Sequence, residues 1–429
     1  MWFALTNPRM ALNFTLSISL LWPSYIAYKV DPFPGLSPDR AFIFILFLTF
    51  LVYLLLKNNA KFILGQYSKI IVLISVYFSW QLLCSFFVST DLARSVFGIL
   101  NDFFCGAFFA FFAFLFVTNN KQLDKVVKAL FVSFFIINLI GLVELSKGTP
   151  LFAKYLISVT DFNRVIEGNS RYGSYRIMSV FSNALVYSQF LVFSVPMSMS
   201  FIRFHNGNFL KLMARINLNL TYILIYFTGS RAGLALAIAM PVILLYINLY
   251  KNNKYKLAKN IFNYFLIPIF IFGMGYYLYT LLSQEIRIST DFSKMDETEG
   301  STLYRLFQLQ QGGIAIMNSP VFGYSFGGEL TALHDVKVID NNYLSIALSS
   351  GLVGLSIYIF INLYVLNKGI KAIKTMKDEV MVYFLTAYIL LLLYYLILSI
   401  TKMNLIYYIM VAIIMIRYNE LENQTIKAL

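Results

Sequence analysis

Long apolar segments alternate with short polar gaps along the chain, and lysine and arginine residues concentrate in every second gap. A helix that crosses a bilayer needs about 20 mostly apolar residues, and many of the apolar segments approach this length. Polar loops that carry clusters of positive charge stay in the cytoplasm when a membrane protein is inserted. The clusters lie at residues 57–69, 121–128, 203–215, 251–259 and 368–377. The alternation predicts an all-α polytopic membrane protein with both chain termini in the cytoplasm.

The apolar segments predict about twelve transmembrane helices. We expect them at residues 10–29, 41–56, 69–89, 95–118, 124–146, 178–202, 216–229, 231–250, 260–282, 341–366, 379–399 and 402–417. One helix more or fewer would place a lysine cluster outside the cytoplasm, which the insertion rule disfavours. The seventh and eighth helices are nearly continuous and are split only at Gly229, Ser230 and Arg231. Because an arginine in hydrocarbon is costly, we expect a tight turn at the membrane surface there.

The composition supports a membrane location and disfavours several other classes of protein. Of the 429 residues, 13% are charged, which is about half the fraction usual in soluble proteins. The net charge of +14 lies mostly in clusters beside the apolar segments, so we expect contact with anionic membrane lipids and no binding of nucleic acid. Cys84 and Cys105 lie inside apolar segments, which argues against a disulfide framework and a cysteine metal site.

Two polar segments on the side opposite the lysine clusters are long. They run over residues 147–177 and 283–340, the second between the ninth and tenth predicted helices. Long loops cross the membrane largely regardless of their charge, so we expect both outside the cytoplasm. A short helix is predicted within the second segment, at 301–317. No boundary between soluble domains is visible, so residues 1–429 are predicted to form a single integral membrane domain.

Arginines gather at the predicted boundaries on this outer side. Arg171 and Arg176 precede the sixth helix, Arg231 separates the seventh and eighth, and Arg305 lies in the second long segment. A guanidinium fork matches phosphate oxygens and stays charged, so several arginines at one interface suit a pyrophosphate. Each arginine taken singly is explained as well by contact with lipid headgroups or by pairing with an acid. Arg231 is the exception, because its place between two helices favours the functional interpretation.

Further outer residues suit proton transfer or sugar binding. His334 lies late in the second long segment, and Asp340, Asn341, Asn342 and Tyr343 begin the tenth helix. His334 and Asp340 are candidate bases, although Asp340 equally suits a helix N-cap. The two asparagines suit sugar hydroxyls or the same cap, and Tyr343 suits stacking on a sugar or an anchor at the membrane interface. The sequence has no zinc or calcium ligand spacing and no phosphate-binding glycine loop, so we predict no metal site.

Four groups of residues, in order along the chain, resemble a known family. They are Arg176–Asn183, Thr228–Gly233, Arg305 with Pro320–Gly327, and Asp340–Leu344 with Gly351–Gly354. The set is similar to the O-antigen polymerase and ligase superfamily, which has a Ser-Arg-Gly signature, an arginine before Pro-x-x-Gly, and a His/Asp-Asn-x-Tyr-Leu stretch. Ligases usually have histidine directly before the asparagine of that last stretch, and Asp340 stands there in this chain. The resemblance therefore favours the polymerase (Wzy) branch.

The polymerase resemblance implies a GT-C-like glycosyltransferase of lipopolysaccharide biosynthesis, at the periplasmic face of the bacterial inner membrane. It implies an undecaprenyl-pyrophosphate-linked oligosaccharide as donor and as acceptor, no cofactor, and a chain length that can depend on a separate regulator protein. Arg176, Arg231 and Arg305 would hold the pyrophosphate and stabilise the charge that develops on it. His334 or Asp340 would take the proton from the acceptor hydroxyl. The residues that would contact the glycan or the pyrophosphate are Arg171, Asn341, Asn342 and Tyr343.

Three other functions fit the pattern of helices. An O-antigen ligase would share the fold and transfer the polymer to the lipid A core. A flippase for lipid-linked oligosaccharides would carry charges within its helices and have short outer loops, whereas the predicted helices here are nearly free of charge. An ion-coupled transporter would need a broken helix pair or buried acids near the membrane midplane, for which Asp102 is the candidate.

Overall fold

The computed structural model describes residues 5–23, 26, 28–30, 33–56, 65–152, 170–171, 174–251, 297–333, 339–396, 398 and 402–428. In these ranges the chain is predominantly helical. The helices are α1 (Pro8–Leu21), α2 (Pro38–Leu56), α3 (Ser68–Val88), α4 (Leu92–Phe116, with a π-helical turn at Phe103–Ala107), α5 (Asn120–Lys147), α6 (Ala184–Phe204), α7 (Asn208–Phe227), α8 (Arg231–Lys251), α9 (Glu297–Asn318), α10 (Asn342–Thr375), α11 (Glu379–Tyr394) and α12 (Lys402–Ala428). Two short antiparallel pairs accompany them, β1 (Tyr28–Val30) with β2 (Phe33–Leu36) and β3 (Ser170–Arg171) with β4 (Ser174–Tyr175).

Seven of the helices in the described ranges are long and apolar enough to cross a membrane, namely α2, α3, α4, α5, α6, α8 and α10. α11 is apolar but shorter. These helices fit a multi-pass membrane protein, and the predicted number of about twelve spans stays a prediction. The predicted ninth helix, 260–282, lies outside the described residues, and the two long segments predicted at 147–177 and 283–340 lie only partly within them.

Large apolar side chains cover the outer surface of the helix bundle. Leu55 of α2, Phe87 of α3, Phe209 of α7 and Ile238 of α8 are each more than 70% exposed. An extensive apolar surface marks a region of contact with lipid or with another protein. α6, by contrast, is buried along most of its length and packs against α7, α8 and α11. The centre of this part of the bundle is therefore α6, whose first turn leads into the candidate site.

Some helices begin or end at other residues than the sequence predicts. α1 ends at Leu21 instead of residue 29, because the chain becomes extended directly after Leu21. α6 begins at Ala184 instead of residue 178, because the side chain of Asn183 accepts a hydrogen bond from the N–H of Val186 at 2.9 Å and so caps the helix there. The short helix predicted at 301–317 is confirmed by α9.

Two helices continue through segments that the sequence analysis assigned to polar gaps. α7 begins at Asn208 and α10 runs to Thr375. Lysine and arginine favour helices, so a positive cluster marks the end of the apolar stretch and not the end of the helix. We name the end of the bundle formed by residues 121–128, 203–211 and 368–378 the lysine end. The opposite end, where α7 and α11 finish and α8 and α10 begin, is the arginine end.

α10 is broken at Gly351, which has a φ of +68° and a ψ of −177°. This conformation is open to glycine and strained for other residues. Backbone groups beside the break bond to the chain that follows α9. The N–H of Leu352 donates to the carbonyl of Pro320 at 2.7 Å, and the N–H of Tyr324 donates to the carbonyl of Leu348 at 2.7 Å. The segment around Pro320 and Tyr324 and the segment around Gly351 lie apart in the sequence and are therefore joined by backbone hydrogen bonds.

Residues 319–333, which we name the turn segment, pack against α3, α4 and α10. The ring of Phe322 stacks on Trp80 of α3 with centroids 5.5 Å apart, and the indole N–H of Trp80 donates to the backbone of α10 just before the break, at 2.8 Å. Phe326 occupies the space that the missing side chain of Gly98 on α4 leaves open. The turn segment thus covers these three helices at the arginine end.

Candidate active site

The turn between α7 and α8 builds one side of the site. The predicted break between these helices is confirmed, because α7 ends at Phe227 and α8 begins at Arg231. Gly229 has a φ of +60°, the left-handed conformation in which glycine commonly ends a helix. Ser230 then caps α8, since its hydroxyl accepts a hydrogen bond from the N–H of Gly233 at 3.1 Å. The side chain of Arg231, the first residue of α8, is exposed.

Arg176 lies against this turn. Its Nε–H donates to the carbonyl of Thr228 at 2.6 Å. A Cβ atom added to Gly229 would lie 3.2 Å from the same Nε. A side chain at Gly229 would therefore crowd Arg176 as well as strain the backbone, and the glycine allows the guanidinium to lie close to the start of α8.

A buried carboxylate that the sequence analysis did not single out fixes the chain around Arg176. Glu144, near the end of α5, is 0% exposed. Its Oε1 accepts hydrogen bonds from the hydroxyl of Tyr175 and from the N–H of Met178, the second at 2.8 Å. These bonds lie on either side of Arg176 and tie the extended chain before α6 to α5. The sequence signal that could have identified Glu144 is its position as an acidic residue within an apolar segment, because a buried charge needs partners.

Tyr394, at the end of α11, links the arginines. Its hydroxyl lies 3.1 Å from the hydroxyl of Ser230 and donates to the carbonyl of Leu185 at 3.2 Å. The guanidinium groups of Arg176 and Arg305 both interact electrostatically with this hydroxyl. Tyr394 therefore contacts the residue before Arg231 and lies within electrostatic range of Arg176 and Arg305. No sequence signal distinguishes Tyr394 among the 30 tyrosines of the chain.

Arg305 and Asp340 form an ion pair between α9 and the start of α10. Nε of Arg305 lies 3.4 Å from Oδ2 of Asp340, and both side chains are partly buried. The backbone N–H of Asp340 also donates to the side chain of Gln308 on α9 at 3.1 Å. Burial raises the pKa of Asp340 above its ordinary value, and the Arg305 guanidinium offsets part of the rise. The carboxyl group is thus more basic than an exposed aspartate and lies beside a fixed positive charge.

The three residues after Asp340 have separate places. Asn341 is the N-cap of α10: its Oδ1 accepts from the N–H of Leu344 at 3.0 Å, and its amide donates to a carbonyl just after α11 at 2.9 Å. The hydroxyl of Tyr343 donates to a carbonyl of α11 at 3.1 Å. Asn341 and Tyr343 thereby join α10 to α11. Asn342 lines a cavity between α10 and the turn segment.

Two predicted site residues have no described side chain. His334 lies outside the described residues, and Arg171 belongs to β3, of which the backbone alone is described. Within the described ranges, no group of three or more His, Cys, Asp or Glu side chains is arranged to hold a metal ion. Of the predicted site residues, the structure pairs Arg305 with Asp340, and Arg176 and Arg305 both interact electrostatically with Tyr394. Arg231 directly follows Ser230, whose hydroxyl contacts that tyrosine.

The electrostatics of this arrangement favour an anion. The two positive charges of Arg176 and Arg305 both act on Tyr394, and the N-terminus of α8 adds the positive end of a helix dipole. Arg231 projects a third guanidinium from that helix start. Guanidinium groups bind phosphate oxygens through paired hydrogen bonds. The site can therefore hold a phosphate-containing group next to the carboxylate of Asp340.

A comparison with known families gives an independent result for the same part of the chain. Residues 216–359 match the family model Wzy_C, which describes O-antigen ligase. The matched range contains Arg231, Arg305 and residues 340–343, and it begins after Arg176. No match was found among curated proteins. Residues 216–359 are therefore similar to the O-antigen ligase family, which is consistent with the O-antigen ligase/polymerase superfamily.

Proposed function

We propose that the protein is an O-antigen polymerase, a glycosyltransferase that joins oligosaccharide repeat units carried on undecaprenyl pyrophosphate. The growing chain would move from its own carrier to the non-reducing end of a new lipid-linked unit. The electrostatic interaction of both Arg176 and Arg305 with Tyr394, whose hydroxyl contacts Ser230 next to Arg231, is the observation that carries the proposal, because it indicates positive charge gathered for a pyrophosphate. The family match supports the superfamily and a glycosyltransferase-like activity.

The reaction breaks the bond between C1 of the donor sugar and a pyrophosphate oxygen, which leaves with the bonding electron pair. An acceptor hydroxyl oxygen forms the new bond to C1 and gives its proton to a base. Arg176, Arg231 and Arg305 hold the pyrophosphate and stabilise its developing negative charge. These guanidinium groups take the role that a divalent cation plays in metal-dependent transferases, so we propose activity without a metal. Polymerisation by the purified protein should then continue in EDTA.

Asp340 and His334 are the two proposed bases. Asp340 has the geometric support, because it lies partly buried beside Arg305. Asp340→Asn keeps a hydrogen-bond acceptor for Arg305 and removes the basic carboxylate, while His334→Ala removes the other candidate. One of these variants should abolish polymer at normal protein levels, and the residue whose substitution leaves normal polymer is excluded as the base.

The proposed topology places the arginine end at the periplasmic face of the inner membrane and both termini in the cytoplasm. Its support is the rule that positive clusters stay in the cytoplasm, since these clusters form the lysine end. Ser182 at the arginine end and Lys125 at the lysine end are both exposed. In spheroplasts, Ser182→Cys should react with a membrane-impermeant maleimide and Lys125→Cys should react only after permeabilisation. The reverse pattern would invert the topology.

The lipopolysaccharide pattern of a deletion strain tests the function. Loss of a polymerase leaves lipid A core capped with single repeat units, whereas loss of a ligase leaves lipid A core without O-antigen. Arg231→Ala should reproduce the polymerase pattern while the protein still inserts into the membrane. Arg215→Ala, which removes an exposed arginine near the lysine end of α7, is the matched control and should keep the full ladder. A full ladder from Arg231→Ala would contradict the role given to that residue.

An O-antigen ligase is the second candidate, because the matching family model bears that description. Asp340 at the position where ligases usually have histidine is the reason to prefer the polymerase. A deletion strain that accumulates lipid-linked polymer and carries no O-antigen on lipid A would establish the ligase instead.

An ion-coupled transporter has less support, although the chain has two of the features it would use. These are the break in α10 at Gly351 and the acidic residue Asp102 in α4. A transporter uses a broken helix to offer free backbone groups to an ion. Here the groups beside the break, on Leu348 and Leu352, bond to the turn segment. The break therefore serves packing of the turn segment better than ion binding.

A further inference from the structure

A second polar site lies at the arginine end, apart from the arginines. It is a cavity of about 170 Å³ lined by residues of α3, α4, α10 and α12 and by the turn segment. Pockets for drug-sized ligands measure roughly 300–1,000 Å³, so this cavity has room for one small ring. None of its lining side chains except Asn342 has a part in the roles proposed above.

The walls combine aromatic rings with amide groups. The amides belong to Gln81, Asn342 and Asn404, and the rings to Tyr77, Phe78, Phe326, Tyr358, Tyr407 and Tyr408. An aromatic face offers apolar contact to the C–H groups of a sugar ring. An amide both donates and accepts hydrogen bonds, as sugar hydroxyls require. This mixture suits a polyhydroxylated ring better than an apolar ligand.

Two carboxyl groups line the same cavity and interact electrostatically, Asp102 of α4 and Glu329 of the turn segment. Asp102 directly precedes the π-helical turn of α4, a feature that is frequent at functional sites. The amide of Asn404 donates to Asp102 at 3.4 Å. Burial raises the pKa of Glu329 to about 7, while backbone hydrogen bonds and the Arg94 guanidinium act in the opposite direction. Both carboxyl groups are placed to accept hydrogen bonds from a ligand.

One buried hydroxyl in electrostatic range of the cavity's lining residues has no hydrogen-bond partner in the described part of the chain. It belongs to Tyr395, which is 0% exposed. This side chain interacts electrostatically with Asp102 and Tyr77, which both line the cavity. Buried hydroxyl groups are nearly always satisfied, so an unsatisfied one behind lining residues of the cavity is consistent with a polar site that a bound molecule or water completes.

We propose that this cavity binds one non-acidic monosaccharide ring of the lipid-linked acceptor, with Asp102 and Glu329 accepting hydrogen bonds from its hydroxyl groups. The proposal rests on the proposed function, which makes the acceptor a glycan. No lysine, arginine or histidine is among the described lining residues. The carboxylate of a uronic acid would therefore meet two carboxyl groups and no cation among these lining residues, which disfavours an acidic sugar at this position.

The chain itself connects this cavity to the arginines. Asp340 pairs with Arg305, and Asn342, two residues further on, lines the cavity. Consecutive Cα atoms are 3.8 Å apart, so the Cα atoms of Asp340 and Asn342 are at most ~7.6 Å apart. A sugar in the cavity and a pyrophosphate at Arg305 would be neighbours. Such proximity is what transfer between two bound substrates requires.

Ser345→Leu is the variant that tests the cavity. Ser345 lines it from α10, and a leucine there would fill the space without removing a charged group. Ser356→Leu makes the same change on an exposed face of α10 and is the matched control. The purified full-length protein, in a detergent without sugar headgroups, is mixed with methyl glycosides. Saturation-transfer NMR then measures binding of glucose, galactose, N-acetylglucosamine, N-acetylgalactosamine and glucuronic acid glycosides.

We expect saturation transfer to at least one neutral glycoside with the unaltered protein and with Ser356→Leu. Ser345→Leu should weaken this binding at least ~10-fold, because an overfilled cavity excludes the ring. The glucuronide should give no transfer. Binding that survives Ser345→Leu, equal binding of the glucuronide, or no binding of any neutral glycoside would overturn the proposal.

The NMR measurement tests the cavity and the lipopolysaccharide ladder tests the polymerase function, so either proposal can be contradicted without the other. If deletion of the gene leaves the ladder unchanged while Ser345 controls binding of a neutral sugar, the polymerase function is wrong and the cavity remains a sugar site. If the ladder depends on the gene and no neutral sugar binds at the cavity, the polymerase proposal stands and the acceptor site lies elsewhere.

Discussion

The break in α10 allows a quantitative test of how the arginine end is held together. Gly351 has a φ of +68°, and a Cβ atom there would overlap the backbone of Val321 in the turn segment. Gly351→Ala would strain the backbone by about 1–2 kcal/mol. It would also separate the turn segment from α10 and break two backbone hydrogen bonds, each of which contributes about 0.5–1.5 kcal/mol. The expected loss of folding free energy is therefore about 2–5 kcal/mol.

This loss should be local. The turn segment carries Glu329 and leads from Arg305 towards Asp340, so its displacement should reduce polymer strongly, to a measurable residue, without unfolding the lysine end. Thermal unfolding of the purified protein in detergent gives the stability, and the lipopolysaccharide ladder gives the activity. Proteolysis should cut within residues 319–333 in Gly351→Ala and spare them in the unaltered protein.

Gly313→Ala is the matched control. Gly313 lies in α9 at the same end of the bundle, and a Cβ atom there would have no atom within 4 Å. The added methyl group should stabilise the helix by about 0.5–1 kcal/mol and leave the ladder intact. If Gly351→Ala melts and polymerises like Gly313→Ala, the turn segment does not brace α10 and the reasoning is wrong.

Three further changes test other parts of the site. Arg231→Lys keeps the charge and loses the guanidinium fork, so timed lipopolysaccharide gels should show about 10²–10³-fold less polymer at normal protein levels. Asn341→Ala removes the N-cap of α10 and the amide hydrogen bond to the chain after α11, so it should lower the free energy of unfolding by about 1.5–2.5 kcal/mol. Asn341→Asp keeps the cap and loses only the amide donor, so melting temperatures should show a smaller loss. Burial raises the pKa of Glu329 from 4.5 to about 7, so the folded chain holds a proton that the unfolded chain releases in this interval. The free energy of unfolding should therefore fall as the pH rises from about 4.5 to 7, and Glu329→Gln should flatten that part of the profile.

The parts of the fold that the sequence predicts depend on local signals. The break between α7 and α8 is one, because Gly229 suits a left-handed helix end and Ser230 suits an N-cap. A charged Arg231 within an apolar run marks the same place. Each of these signals acts through the backbone next to the residue that carries it, so no knowledge of distant contacts is needed.

The break in α10 shows what local signals miss. Hydropathy stays high on both sides of Gly351, and glycine is common inside transmembrane helices. The helix breaks there because Pro320 and Tyr324 of the turn segment supply hydrogen bonds to the groups that the break frees. A helix interruption that depends on partners about thirty residues away cannot be predicted from the helix sequence alone.

The residues of the candidate site likewise fall into a group that the sequence predicts and a group that it does not. Arg176, Arg231 and Arg305 are predictable from their residue type and their places at helix boundaries. Tyr394 and Glu144 are not, because their importance arises from their surroundings: the Tyr394 hydroxyl interacts electrostatically with Arg176 and Arg305, and the buried Glu144 carboxylate holds the chain around Arg176. Tertiary packing, which no single-residue pattern encodes, decides which tyrosine of many becomes the centre of the site.

One stretch of chain contributes to both proposed substrate sites. Arg305 on α9, Glu329 in the turn segment and Asp340 before α10 follow one another along it, and Gly351 braces it. Displacing this stretch would move the donor arginine and the acceptor cavity together. The double variant of Gly351→Ala and Arg305→Ala should therefore make about as much polymer as whichever single variant makes less, because both substitutions disrupt the same arrangement of the chain. Independent, multiplying losses in a timed polymerisation assay would show that the two sites are held separately.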